Sequence, residues 1–284
     1  MIGWRQGGWV ELPDGVEVGA LHAGPSLFET FAVRGGRVAC LSDHVGRLVA
    51  ACPRLGIDPD RLRLGNADAA RWSAPLAGLL ARNGLTAGIV RWLAAPADDG
   101  LAAEWLTVRA LPATPAAIDL YQLALRRDAA EWLPRPKSGP WLNSSAAWRE
   151  LRGIADRPDA EGVQFDARGC LSEGPRSAFA WWDGESWNFP PAETDRLPGT
   201  AQAQFRASLA AAGRPARDVS WPGFPLAARS FLVLRSTFEG GATPARSYHA
   251  EGRLVWRPSG EQAEAARAMA SLAAWRAQRS VSLA

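Results

Sequence analysis

Residues 111–119 read LPATPAAID. A run rich in proline and alanine, without a helical or a strand period, reads as a connection between domains. It divides the 284-residue chain into a smaller part, 1–112, and a larger part, 121–284, with 113–120 as the joint. Before the connection, strands and helices are mixed. LFETFAV (27–33) and RVACL (37–41) are β-rich runs separated by Arg34-Gly35-Gly36, a hairpin-like connection. Ser42 stands where an N-cap would open the helix DHVGRLVAAC, with Leu48 and Val49 inward, His44 and Arg47 on adjacent faces, and Pro53 ending it. A second helix is predicted over about 67–82, with Gly84 just beyond it as a C-cap. IVRWLAA (89–95) and EWLTVRAL (104–111) read as strands.

Beyond the connection, short strands succeed one another. They are LYQLALR (120–126), EGVQFD (161–166), CLSE (170–173), SAFAWW (177–182) and SWNF (186–189), with Asp183-Gly184 as a tight hairpin turn. A helix follows from about 201 to near Gly213, then a buried-looking strand, FLVLRS (231–236). Ser259-Gly260-Glu261-Gln262 is a capping-box pattern opening a C-terminal helix. The fold class is α+β in two domains.

Composition narrows the function. The apolar share of 47% supplies a sizeable core. Net charge is +3, with both signs interspersed, so the basic balance builds no stripe for nucleic acid. The N-terminus, MIGWRQGGWVELPDG, has no apolar signal region, and no segment is long enough to span a bilayer. Cys40, Cys52 and Cys170 form no C-x-x-C pair and fit a reducing, cytoplasmic setting. His22, His44 and His249 lack metal-ligand spacing, so no metal is expected.

Against this background one residue is singular. Lys137 is the only lysine among 32 Lys+Arg residues. On a solvated surface arginine replaces lysine at little cost, but a guanidinium presents no lone pair for nucleophilic chemistry. Lys137 is therefore either a chance survivor on the surface or an amine kept to form an imine with an aldehyde. Prolines at 134, 136 and 140 would stiffen its segment. Four further pieces have a chemical use if they share a site with it. Glu173, after a turn at Asp166–Gly169, is a surface acid or a partner for a protonated ring nitrogen. Arg47 is a solvated arginine or a fork donor for phosphate. Gly199 and Thr200 open a helix, as a simple cap or an anion site. Ser236-Thr237, before Glu239-Gly240-Gly241, shape a turn or finish a phosphate cup.

The order of these pieces resembles the class IV aminotransferase family, the fold-type IV enzymes that use pyridoxal 5′-phosphate (PLP). The family includes branched-chain and D-amino acid aminotransferases and 4-amino-4-deoxychorismate lyases. LFETFAVRGGRVACLSDHVGRLVAACPRLGI (27–57) is similar to its opening F-E-T, H-x-x-R-L and L-G-I block. PKSGPWLNSSAAWRE (136–150) looks like the segment around the catalytic lysine. GVQFDARGCLSEGPRSAFAWWDGESWNFPP (162–191), LPGTAQAQF (197–205) and SFLVLRSTFEGGATPARS (230–247) resemble its later blocks.

The resemblance implies a smaller N-terminal α/β domain and a larger domain with a barrel-like mixed sheet that carries the lysine. It implies Lys137 as the residue linked to PLP, Arg47 as a phosphate partner and Glu173 as the partner of the pyridine nitrogen. Gly199, Thr200, Ala201, Ser236 and Thr237 would complete the cofactor site. Phe28, Ala32, Arg34 and Thr243, with Pro244 in a substrate-side turn, would face the substrate. A homodimer acting on small amino and 2-oxo acids is implied, with neither membrane nor nucleic acid as partner. The sequence departs from the pattern at Ala178 and Ala201. Ala32 and Arg34 stand where branched-chain enzymes carry an Arg and a Tyr, and Ala23-Gly24-Pro25-Ser26 stands in place of Gly-Asp-Gly. An aminotransferase, a 4-amino-4-deoxychorismate lyase and a non-catalytic binding homologue all fit this framework.

Overall fold

A computed structural model of the chain describes residues 1–12, 26–96, 102–127, 136–138, 142–260 and 262–283. Two units are distinguished. The first takes Met1–Pro112, Pro136–Trp141 and Ala277–Ala284, and the second Ala113–Arg135 and Leu142–Arg276. The fold is α+β, with one sheet in each unit. No helix among the described residues is long and apolar enough to cross a membrane.

In the first unit, strands β1 (Ile2–Arg5), β2 (Gly8–Glu11), β3 (Leu27–Arg34), β4 (Arg37–Ala39), β5 (Gly88–Pro96) and β6 (Ala102–Ala110) join a last strand, Ser280–Ser282. The order across the sheet is Ser280–Ser282, β4, β3, β5, β6, β1, β2, and every pairing is antiparallel. Gly35 and Gly36, both at positive φ, turn β3 into β4 as the hairpin reading expects. Helix α1 (Leu41–Ala51) begins one residue before Ser42. Cys40 sits in the left-handed region, so β4 stops at Ala39 and the chain enters the helix at once, leaving Ser42 inside the first turn. Helix α2 (Ala69–Arg82) is capped by the Asp68 side chain, which accepts from the Ala70 N–H. Both helices pack on one face of the sheet, where Trp72 meets Trp92 edge-on at 5.1 Å and Phe31 at 5.7 Å.

The lysine segment also belongs here. β4 pairs with β3 only at Val33 and Arg34, which leaves the beginning of that edge open. Residues 136–138 take it: the Phe28 N–H donates to the Lys137 carbonyl at 2.9 Å, and Ser138 bridges Leu27. This differs from the sequence-based division, which put the lysine in the larger domain. The backbone pairing with β3, rather than chain order, decides its membership. Pro134 and Pro140 lie outside the described residues, as do His22 and residues 23–25.

The second unit contains β7 (Ile118–Gln122), α3 (Leu142–Ile154), β8 (Ala160–Val163), β9 (Ala178–Trp182), β10 (Trp187–Phe189), α4 (Thr200–Ala211), β11 (Ala216–Asp218), β12 (Ser230–Leu234), β13 (Ala242–Ala250), β14 (Arg253–Trp256) and α5 (Ala263–Gln278). Its mixed sheet runs β11, β10, β9, β12, β13, β7, β8, with β14 on β13. Several predicted boundaries move. LYQLALR is a strand only to Gln122. CLSE makes isolated bridges, Cys170 to Pro222 and Gly223 and Leu171 to Phe165. It folds back on Gln164–Asp166 by backbone hydrogen bonds across a tight turn, in which Asp166 Oδ1 accepts the N–H groups of Arg168 and Cys170 and Gly169 has φ +81°. Thr243 and Pro244, expected in a turn, lie within β13 opposite Val233 and Leu232. Of the capping box, Glu261 is outside the described residues, and Gln262 bonds instead to Ser230 and the Arg229 carbonyl.

Trp72 is fully buried, and its indole N–H donates to the Asn66 carbonyl at 2.8 Å. Trp72→Ala is expected to cost about 3–5 kcal/mol in urea unfolding, and a loss under about 1 kcal/mol would show that the cluster of Trp72, Trp92 and Phe31 does not hold the first unit together.

Candidate active site

A strand sends alternate side chains to opposite faces. On β3, Leu27, Phe31 and Val33 enter the core under the helices, and Glu29 shares their face. Glu29 is 0% exposed. The Arg47 fork grips it, with Nε donating to Oε1 at 2.6 Å and Nη2 to Oε2 at 2.7 Å. His44, 1% exposed, lies 2.7 Å from Oε2 through Nδ1. His44 and Arg47 are three apart on α1, so they share a helix face and converge on one carboxylate. Burial alone would raise the Glu29 pKa, but the charges of Arg47 and Lys137 and the hydrogen bonds from His44 and Arg47 hold it well below the carboxylate range. Burial pushes His44 down, with Arg47 and Lys137 adding to it against the pull of Glu29. The imidazole is therefore neutral at pH 7. Because an ionised carboxylate only accepts, Nδ1 carries the proton and donates.

The other face of β3 carries Phe28, Thr30 and Ala32. In register they face Leu93, Arg91 and Ile89 on β5, which face Trp105, Thr107 and Arg109 on β6. Two cations meet at the Phe28 ring: Lys137 Nζ is 5.0 Å and the Arg91 guanidinium carbon 4.7 Å from its centroid. Burial, with the charge of Arg109, pulls the Arg91 pKa down to about 10, so it stays charged at neutral pH. Ala32 and Arg34 are half-buried farther along the strand. Arg91 escaped the sequence reading. The available signal was an arginine in the middle of the apolar strand IVRWLAA.

In the second unit, Glu173 is buried and paired with Arg127, which is 1% exposed. Arg127 also donates to Asn143 Oδ1 at 3.0 Å and to Ser144 Oγ at 3.1 Å, both from the first turn of α3. Gln164 Nε2 reaches the same Asn143 oxygen at 3.0 Å. Arg127 was invisible in the sequence as one arginine in the pair that ends LYQLALRR.

Helix α4 begins at Thr200 after Gly199, with no side-chain cap, so its first N–H groups have no partner within the helix. Thr200 and Ala201 are buried, and Gln202 carries a buried Nε2 donor without a hydrogen-bond partner. Ser236 and Thr237 form a turn after β12. Arg276 ties the two pieces together, donating to Gln204 Oε1 at 2.7 Å and to the Ser236 carbonyl at 2.9 Å. Gly241 makes room for it: at φ +93°, a Cβ there would stand 2.7 Å from Arg276 Nη1. Thr243 is buried in β13. Of the predicted residues, Phe28, Arg47 and Lys137 thus gather around Glu29 and its strand. Gly199, Thr200, Ala201 and Ser236 gather around Arg276 and α4, and Glu173 stands with Arg127.

The family pattern described as amino-transferase class IV matches residues 26–231. The chain belongs to the class IV aminotransferase family. No curated protein sequence matches the chain. Among solved structures, an Escherichia coli branched-chain amino acid aminotransferase is similar, with 20% identity, 91% of this chain and 90% of that one covered, and a TM-score of 0.71. A branched-chain amino acid aminotransferase from T.th., complexed with N-(5′-phosphopyridoxyl)-L-glutamate, gives 18% identity, 100% and 98% coverage and a TM-score of 0.74. A 4-amino-4-deoxychorismate lyase described as putative, from Legionella pneumophila, gives 16% identity, 86% and 90% coverage and 0.71. These likenesses establish the fold.

Taken one unit at a time, the residues have the chemistry that a phosphorylated pyridine aldehyde needs. The donors at the start of α4, with the unpartnered Gln202 Nε2 among them, suit an anion. Glu173 offers a buried carboxylate for a ring nitrogen, and Lys137 offers the primary amine.

Glu29 has a folded-state pKa below the ordinary 4.5, so its contribution to stability is whole above pH 4.5 and is lost as the pH falls. Urea midpoints of the wild type and Glu29→Gln should therefore converge between about pH 5 and pH 2. A gap that stays constant through that window would mean Glu29 is not held ionised.

Proposed function

We propose that the chain is a PLP-dependent aminotransferase, moving an amino group between an amino acid and a 2-oxo acid. The observation that carries the reading is the meeting of Lys137 Nζ and Arg91 at one phenyl ring. An amino acid needs both partners together, an amine-handling nitrogen and a cation for its carboxylate.

PLP, when bound, supplies an electron sink that acidifies the Cα–H of an amine attached to it. Lys137 Nζ would take the proton from the substrate Cα and deliver it to the carbon that carried the cofactor's aldehyde, the shift that an amino-group transfer requires. Glu173 would accept a hydrogen bond from the ring nitrogen and keep the proton there. Arg47 of the first unit would be one partner for the phosphate, and in the second unit the N–H groups of Thr200 and Ala201 would be others, with Gly199 permitting close approach and Ser236 and Thr237 adding hydroxyls. Arg91 meets the substrate carboxylate as a fork donor, flanked by Thr30 and Thr107 in the same register row. Phe28, Ala32, Arg34 and Thr243 bound the substrate side. The same reading takes the enzyme to be a cytoplasmic homodimer.

Purified protein given PLP should show a visible absorption band that Lys137→Ala abolishes, and single amino acids should bleach it. Absence of the band at saturating PLP contradicts the reading. If a panel of L- and D-amino acids leaves the band unchanged while aminodeoxychorismate yields pyruvate, the enzyme is a lyase.

A further inference from the structure

The carboxylate of Glu29 has no part in the chemistry above, yet it is the most completely enclosed charge of the first unit's cluster, held by three hydrogen bonds of 2.6–2.7 Å. We propose that Glu29 is a positioning residue of the phosphate site: gripping Arg47 on two nitrogens, and itself propped by His44, it fixes the guanidinium in one orientation before any ligand arrives. The inference rests on the reading of Arg47 as a phosphate partner of PLP.

Stability does not explain the arrangement. A buried ion pair gains little over apolar residues of the same volume, because both charges lose their water. What such a pair does supply is geometry. Arginine binds phosphate through a planar fork, and the benefit depends on the fork already pointing the right way. Glu29 takes the edge formed by Nε and one Nη2 hydrogen, which sets the plane of the whole group. His44 then removes the remaining freedom of the carboxylate by donating to Oε2. Since His44 is neutral, Glu29 and Arg47 cancel, and the anchor adds no net charge of its own. The supporting elements are regular secondary structure. Glu29 is on β3, opposite Trp92 of β5, and Arg47 is on the helix packed against that strand. The neighbouring residue, Phe28, receives Lys137 by backbone and by ring. One strand thereby sets both the fork and the amine.

The distinction from a merely structural role lies in the phosphate. Affinities of the full-length protein for PLP and for pyridoxal, which lacks the phosphate, can be measured by quenching of its tryptophan fluorescence. Glu29→Gln places an amide NH2 or a single oxygen against the Arg47 fork and is expected to weaken PLP by about tenfold or more while leaving pyridoxal within about twofold. In an Arg47→Met background, Glu29→Gln should change PLP affinity by less than about twofold. Equal losses for PLP and pyridoxal, or full additivity with Arg47→Met, would overturn the proposal. Should Glu29→Gln fail to fold, Glu29→Asp, which keeps the charge but shortens the reach, must show the same selective loss. A wild type that binds no PLP ends the parent reading as well. A wild type that binds PLP alongside a Glu29→Gln protein with an unchanged PLP-to-pyridoxal ratio ends this inference alone.

Discussion

A single backbone hydrogen bond, from the Phe28 N–H to the Lys137 carbonyl at 2.9 Å, organises the chemistry of the first unit. It is available because β4 is short and leaves the start of the β3 edge unpaired. An exposed edge offers a row of donors and acceptors that another segment can satisfy, and the lysine segment does so. The consequence is geometric. The chain's one lysine is placed against the strand whose two faces carry Phe28 and Glu29, with Arg91 on the next strand over.

The second constraint is the cost of enclosing charge. Glu29, Glu173 and Glu161 are each buried, and each is met by an arginine: Arg47, Arg127 and Arg235. Removing carboxylates from water is expensive unless each finds a paired and hydrogen-bonded partner. The arginine-rich composition takes on a meaning here that bulk charge did not suggest. Many of the 31 arginines left after the one lysine, out of 32 Lys+Arg, are surface groups, but Arg127 is buried and Arg47 and Arg235 are largely enclosed beside their carboxylates. Planar, always ionised side chains suit such positions better than ammonium groups.

The sequence made the hairpin Arg34-Gly35-Gly36, the helices over 41–51, 69–82 and 200–211 and the Asp166–Gly169 turn legible, because each rests on local chemistry: positive-φ glycines, caps and short-range side-chain bonds. Family membership was legible too, since its motifs keep their order along the chain. What escaped was non-local. The pairing of 136–138 with β3 depends on which edge of a distant sheet is open. Arg91 and Arg127 gain their environments only when β5 finds its register beside β3, and when the segment after β7 meets α3. His44 and Arg47 seemed to occupy adjacent faces until Glu29 drew both to one carboxylate. CLSE pairs only briefly: Asp166 and Gln164 exchange backbone hydrogen bonds with Cys170, Ser172 and Glu173 around the turn that the Asp166 side chain closes, and no longer strand forms.

The central claim is that Lys137 is the residue to which the cofactor attaches. Lys137 is the only lysine in the 284 residues, so no other side chain among them offers a primary amine. Borohydride reduction of the PLP-loaded protein, followed by peptide mass spectrometry, should find one phosphopyridoxyl group per chain, on the peptide containing Lys137. Its appearance on any other peptide, or its absence from the Lys137 peptide after the protein has been saturated with PLP, would contradict the account.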